Sequence, residues 1–177
     1  MMRLRKASLA DIPAIMHIMA QARAAQRALG FRQWDDGYPP ESQLAEEISA
    51  GRGFVLDDGD AVCAYAAIVA DDPEYAHLHN VMTSPGESYA VIHRLAISDA
   101  YRGRGIGRRF LALLEEEMLS CDILWSRADT GLENLPMQKA LAAAGYRLLC
   151  RHNFVWGPRL VYEKPLHNIQ SPEHRNN

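Results

Sequence analysis

The sequence predicts an α/β fold built on one core, and three observations carry that reading. Segments of strand and helix periodicity alternate along the chain in the order β-α-α-β-β-β-α-β-α-β-β. Residues 89–117, YAVIHRLAISDAYRGRGIGRRFLALLEEE, read as strand, then arginine and glycine loop, then helix, which presents unpaired helix N–H groups to an anion. A chain of 177 residues, 48% of them hydrophobic, suffices for one domain, placed at 1–164 and followed by a polar tail at 165–177.

Each element has its own local cause. Met2, Leu4 and Lys6 alternate with Arg3 and Arg5 as a short first strand. Ser8 and Asp11 resemble a capping box, Pro13 suits a first helical turn, and Ile12, Ile15, Met16 and Met19 share one face of a helix reaching about Leu29. A polar and aromatic loop, 31–40, precedes a shorter helix from Glu41 to about Ala50 with Leu44 and Ile48 inward and Gly51 as its stop. Residues 54–56 and 61–70 form a hairpin around Asp57, Asp58, Gly59 and Asp60. The polar segment 71–88 leads into the strand at 89–97. After the helix carrying Ile106, Phe110, Leu113, Leu114 and Met118 come a strand near 122–127, a helix from Asn134 to Ala144 stopped by Gly145, and strands near 146–151 and 154–164.

The loop between strand and helix narrows the ligand. Gly103, Gly105 and Gly107 let the backbone approach a phosphate closely, and Arg102, Arg104, Arg108 and Arg109 add charge suited to a diphosphate. A P-loop requires GxxxxGK followed by Ser or Thr, and no lysine lies between Lys6 and Lys139. A dinucleotide fingerprint requires a third glycine, where this chain has Arg108 counted from Gly103 or Phe110 counted from Gly105. What remains is RxxGxG, read as Arg102, Gly105 and Gly107 after a strand ending LAI.

In this motif the chain resembles the GNAT superfamily of N-acetyltransferases, and the likeness extends over about residues 2–164. A second segment, RADTGLENLPMQKALAAAGY at 127–146, resembles the family's asparagine-capped helix closed by a glycine and an aromatic, here Asn134, Gly145 and Tyr146. The resemblance implies a GNAT acyltransferase fold, a mixed central β-sheet flanked by helices. It implies acetyl-CoA as cosubstrate, held by the backbone of Leu95, Ala96 and Ile97, by the loop Arg102, Gly103, Arg104, Gly105, Ile106, Gly107 and Arg108, and by Asn134. Asn134 serves equally as a plain helix cap.

The implied reaction is attack of a neutral primary amine on the thioester, which needs a base, a polarised carbonyl and a leaving thiolate. His93, two residues before Leu95, is the candidate base, and the arylalkylamine members of the family carry a histidine at this position; a histidine packed against the sheet is the alternative. Glu133 and Asp129 are weaker choices of base, because an acid beside the Asn134 cap also simply favours a helix start. Many members place a tyrosine acid seven residues after the capping asparagine, where this chain has Leu141, so Tyr146, Tyr89 or a water takes that role. In the resembled family the loop 31–40 lies over the acceptor. Its Trp34, Asp35, Asp36 and Tyr38 suit a cationic amine, or else form a solvated loop around one buried tryptophan. Two other functions stay open: a non-catalytic acyl-CoA-binding sensor, because Leu141 cannot act as an acid, and a dinucleotide-binding protein.

Composition excludes other classes. A net charge of −3 gives no general pull toward nucleic acid or membrane, so the arginine cluster is a local feature. Cys63, Cys121 and Cys150 are odd in number and set in apolar sequence, a pattern of buried free thiols that fits a cytoplasmic protein. No run reaches the ~20 apolar residues of a membrane span, and no signal-peptide core follows the basic N-terminus. His77 and His79 form an HxH pair without a nearby third ligand, so no metal is expected. The expected partners are small-molecule or peptide amines, with a homodimer also compatible because many members are dimers.

Overall fold

The computed structural model describes residues 2–84 and 86–167. Its elements are β1 (Arg3–Lys6), α1 (Ile12–Ala28), α2 (Glu41–Ser49), β2 (Gly53–Asp57), β3 (Val62–Ala70), β4 (Tyr89–Ile97), α3 (Ile106–Ser120), β5 (Trp125–Gly131), α4 (Leu135–Ala143), β6 (Arg147–Phe154) and β7 (Gly157–Pro165). The order is the one the periodicity predicts. All seven strands join one sheet in the order β1-β2-β3-β4-β5-β7-β6, antiparallel except for β4 and β5. That parallel pair is joined through α3, as a parallel connection requires a crossover.

Strand alternation divides the core between the two faces of the sheet. Phe54 and Leu56 of β2, with Ala64, Ala66 and Ile92, pack against Ile106, Phe110, Leu111, Leu114 and Met118 of α3. Val55, between the two β2 residues, faces the opposite side with Tyr65 and Ala96, against Ile15, Ile18 and Met19 of α1 and Leu44 and Ile48 of α2. The large side chains among these contribute about 1.5–3 kcal/mol each when fully buried. At the entry to α1 the Asp11 carboxylate accepts from the Ser8 N–H at 2.7 Å and the Ser8 hydroxyl at 2.9 Å, closing a 3₁₀ turn at Leu9–Asp11 before the α-helix begins.

Four expectations change. The strand expected near 122–127 is β5, Trp125–Gly131, because α3 runs to Ser120 and the chain needs a left-handed Asp122 (φ 60°) to reverse. Its continuation past Arg127 to Gly131 is masked by the charge of Asp129. The Arg127 guanidinium lies 4.2 Å from the Tyr89 ring centroid and 3.7 Å from Glu163, and Asp129 accepts from the Tyr75 hydroxyl at 2.8 Å. The polar segment 71–88 contains a 3₁₀ turn, Pro73–Leu78, whose Tyr75 and Leu78 join Met82, Val91, Trp125 and Val161 in a third core cluster. Of the free cysteines Cys63 is buried and Cys150 half-buried, but Cys121 is exposed beyond the end of α3. The last strand continues to Pro165, and residues 168–177 of the expected tail lie outside the described residues.

Two irregularities in β4 open a cleft. Its pairing with β5 ends at Ile92↔Ala128, whereas its pairing with β3 continues to Ile97↔Ala64. Residues 93–97 therefore lack a partner strand on one side. Within that stretch Ala67↔His93 and Tyr65↔Ala96 place two β4 residues opposite one of β3, and Arg94 takes φ 54°. This is a β-bulge, which re-aims side chains and increases the local twist.

Candidate active site

The parting of β4 and β5 opens a cleft of about 850 Å³. Leu95, Ala96 and Ile97 line it from β4, Arg102 and Gly107 from the loop and α3, and Asn134, Pro136 and Met137 from the start of α4. Ser98 N–H donates to Cys63 O at 2.9 Å. Alternation along the strand then turns the N–H and C=O groups of Leu95 and Ile97 toward the gap, and those of Ala96 toward β3.

The loop before α3 fits a phosphate. Gly103 (φ 73°) and Gly105 (φ 74°) are left-handed, and Gly105 is the N-cap of α3. A side chain at either position would strain the backbone. Helix geometry leaves the N–H groups of Ile106, Gly107 and Arg108 without intrahelical acceptors, beside the positive end of the helix dipole. A Cβ on Gly107 would lie 3.0 Å from Ile97 Cδ1, so glycine lets the first turn of α3 sit against the end of β4. Arg102, Arg104 and Arg108 are exposed around this turn, and Arg102 also pairs with Asp99 at 2.6 Å. Arg109 instead donates to Met2 O at 3.0 Å, toward β1.

Asn134 caps α4, its Oδ1 accepting from Met137 N–H at 3.3 Å, while its Nδ2 donates to Gln33 Oε1 at 2.9 Å. Gln33 Oε1 also accepts from Gly131 N–H at 2.9 Å, which ties the loop 31–40 to the end of β5.

Across the bulge lies a polar half of the same cleft. His93 Nε2 is 2.6 Å from Asp72 Oδ2. Burial of the Asp72 carboxyl pushes its pKa up, but the hydrogen bonds from His93 and the Glu74 N–H outweigh this and hold it below its ordinary value. Arg94 forms an ion pair with Glu47, its Nε donating to Oε2 at 3.1 Å, and donates to the Tyr38 hydroxyl at 3.2 Å. Tyr65 hydroxyl donates to Glu47 at 2.8 Å. Asp129, the first β5 residue past the last β4 pair, is raised by burial against the opposing hydrogen bond from Tyr75.

The sequence-predicted acceptor residues divide. Trp34 and Tyr38 stand together, their ring centroids 6.0 Å apart, and both line the cleft with Asp35. Asp36 turns away to an ion pair with Arg27 of α1. Tyr146 is not brought to the cleft. It is 4% exposed, its hydroxyl lies 2.6 Å from Ser126 Oγ, and it packs with Ala128, Leu141 and Tyr162 beneath the sheet. Leu141 is buried in the same cluster.

Sequence reasoning missed Gln33, Glu47, Arg94 and Arg159. Two of them left a trace. Glu47 shares a helix face with Leu44 and Ile48, and Arg94 interrupts an apolar strand; charge at either place requires a partner.

The acetyltransferase (GNAT) family model matches residues 17–146. The chain belongs to the acetyltransferase (GNAT) family. Its fold matches a GNAT-family acetyltransferase from Streptococcus agalactiae at 29% identity and TM-score 0.82, covering 93% of this chain and 95% of that one. It also matches yncA, a putative acetyltransferase from Salmonella typhimurium solved with its cofactor acetyl-CoA, at 17% identity and TM-score 0.68, with 98% of each chain covered. A GNAT phosphinothricin acetyltransferase from Sinorhizobium meliloti in complex with acetyl-CoA matches at 20% identity and TM-score 0.68, covering 97% of this chain and 92% of that one. No curated protein matches the chain. As a GNAT fold the molecule has its expected layers, and among the described residues no helix is long and apolar enough to cross a membrane.

Proposed function

We propose that this GNAT-family chain is an acetyl-CoA-dependent N-acetyltransferase in which a primary amine attacks the thioester directly. The observation that carries the reading is the single cleft in which the unpaired stretch 93–97 of β4 meets both the glycine-capped start of α3 and the pair His93–Asp72. The two fold neighbours crystallised with acetyl-CoA support it.

Acetyl-CoA supplies an acetyl group on a thioester and a thiolate leaving group. The chain's residues fit it: the Gly103–Gly107 turn and its arginines receive the diphosphate, and Leu95 and Ile97 offer backbone groups to the pantetheine arm and the thioester oxygen. Asn134 retains one amide hydrogen beyond its bond to Gln33.

The ionised Asp72 accepts from His93 Nε2, which leaves Nδ1 of the neutral ring with the lone pair that takes the proton of the incoming amine. Trp34 and Tyr38 wall the acceptor half. The greater part of the rate enhancement comes from positioning two substrates, with proton transfer adding to it.

Thermal-shift measurements with acetyl-CoA, NAD and ATP test the ligand class. Stabilisation by acetyl-CoA alone, with thiol released when an amine is added, is expected. Stabilisation by NAD or ATP instead would overturn the reading, and acetyl-CoA binding without thiol release across an amine panel would leave a sensor.

A further inference from the structure

Two ion pairs between a carboxylate and a guanidinium border the polar half of the cleft, and they differ in kind. Glu47 and Arg94 are closed on each other and hydrogen-bonded. Asp129 and Arg159 are not: Arg159 Nε stands 3.7 Å from Asp129 Oδ1, beyond hydrogen-bond reach, with side chains only 10% and 9% exposed. Elsewhere Arg5 meets Asp11 with two contacts of 2.8 Å, a closed and hydrogen-bonded pair. The Arg127–Glu163 pair is equally long but fully buried, and no ligand reaches it.

The open pair is held apart by its other bonds. Asp129 Oδ2 is occupied by the Tyr75 hydroxyl at 2.8 Å, and Oδ1 has no hydrogen bond among the described residues. Arg159 donates to Pro158 O at 3.0 Å and to Gln33 O at 3.4 Å, which fixes the guanidinium without using all five of its donors. Both groups line the cleft, and Asp129 stands across the parted strands from His93.

Charges so nearly buried are costly unless paired. A simple amine at Asp129 brings its cation toward Arg159, and a simple carboxylate at Arg159 brings its anion toward Asp129. A ligand bearing ammonium and carboxylate on one carbon satisfies both. We infer that the acceptor is a free α-amino acid, its ammonium on Asp129 and its carboxylate on Arg159, so that the α-amine is presented beside His93. The assignment rests on the N-acetyltransferase reading. In the transfer, the amine nitrogen bonds to the acetyl carbon as the C–S bond breaks, and the products are the N-acetyl amino acid, coenzyme A thiol and one proton. The aromatic walls of Trp34 and Tyr38 suit apolar and aromatic side chains.

The test pairs L-phenylalanine, L-leucine and L-methionine each with its decarboxylated amine and its carboxamide, the amide also standing for a peptide N-terminus. Turnover is read by thiol release, and binding separately by calorimetry in the presence of coenzyme A. The amino acid should exceed both partners by about 10²-fold or more in kcat/KM, because a buried guanidinium left unpaired discriminates strongly. In Arg159→Gln that preference should vanish while acetyl-CoA affinity stays within twofold. Should the glutamine variant not fold, Arg159→Lys, which keeps the charge and loses the planar fork, should still reduce the preference at least tenfold. Amines or carboxamides used as well as amino acids, or a preference unchanged in both variants, would overturn the inference and leave N-acetylation intact. Amino-acid binding that depends on Arg159 without any thiol release would keep the inference and overturn the transferase reading. Neither binding nor turnover would overturn both.

Discussion

Replacing Gly105 by asparagine and, separately, by aspartate separates shape from charge at the diphosphate loop. The two side chains are nearly isosteric, and a Cβ at this position meets nothing within 4 Å, so neither creates a clash. Both accept the φ of 74° more readily than other residues, at a cost of about 1 kcal/mol or less. For a domain of this size that corresponds to a Tm lower by about 2–4 °C. The aspartate should be the more stable of the two, because a carboxylate at a helix N-terminus interacts favourably with the dipole. Binding should run the other way. One carboxylate about 4 Å from two phosphate charges costs about 2 kcal/mol in a water-like dielectric, or about 30-fold in Kd between the variants. Calorimetry with acetyl-CoA at 20 mM and at 1 M salt gives the assay. The gap should narrow at high salt, where screening acts within about 3 Å. Equal affinity of the asparagine and aspartate variants at low salt would refute the placing of the diphosphate at this loop.

Three further outcomes follow from the same geometry. His93→Ala should lower kcat/KM for the amine by about 10² while leaving acetyl-CoA affinity nearly unchanged, and Asp72→Asn should displace the acidic limb of the pH–rate profile; a parental profile in both removes the pair from proton transfer. Leu141→Ala, at a fully buried position, should cost about 2–5 kcal/mol in denaturant titrations with little change in kcat, and a loss of rate at full stability would restore a chemical role to this position. The hydrogen bond from Arg5 holds the Asp11 carboxyl well below its ordinary range, outweighing burial, so its contribution is complete above about pH 4 and is lost as pH falls through the depressed folded value. Asp11→Asn should therefore be less stable than the parent at pH 7, with the gap shrinking below pH 4; a gap independent of pH contradicts the linkage.

The fold was legible because its determinants are local. The alternation in β2 and the 3.6-residue spacing of Phe110, Leu114 and Met118 state which face each element buries, and the Gly105 turn states where α3 begins. The turn before α3 was readable for the same reason, since Arg102, Gly103, Gly105 and Gly107 fall within one short segment. The polar half was not. His93 meets Asp72 across 21 residues, Arg94 meets Glu47 across 47, and Arg159 reaches Gln33 across 126, pairings that the sheet order creates and no window displays. Tyr146 shows the converse error. An aromatic beside a helix stop looked available for chemistry, but β6 begins at the next residue and Tyr146 itself is buried on Ser126. The expected strand at β5 stops short at Arg127 because Asp129 looks like a surface residue until its partner Tyr75 is in place.

Transfer of the acetyl group itself is the most direct test. The purified chain is incubated with acetyl-CoA carrying ¹³C in the acetyl group and with L-phenylalanine, and the products are read by mass spectrometry beside a thiol assay. One N-acetyl product labelled in the acetyl group should appear for each coenzyme A thiol released, dependent on both substrates. Thiol release without a labelled amide, or no release while acetyl-CoA is bound and every amine of the panel is present, would contradict the account.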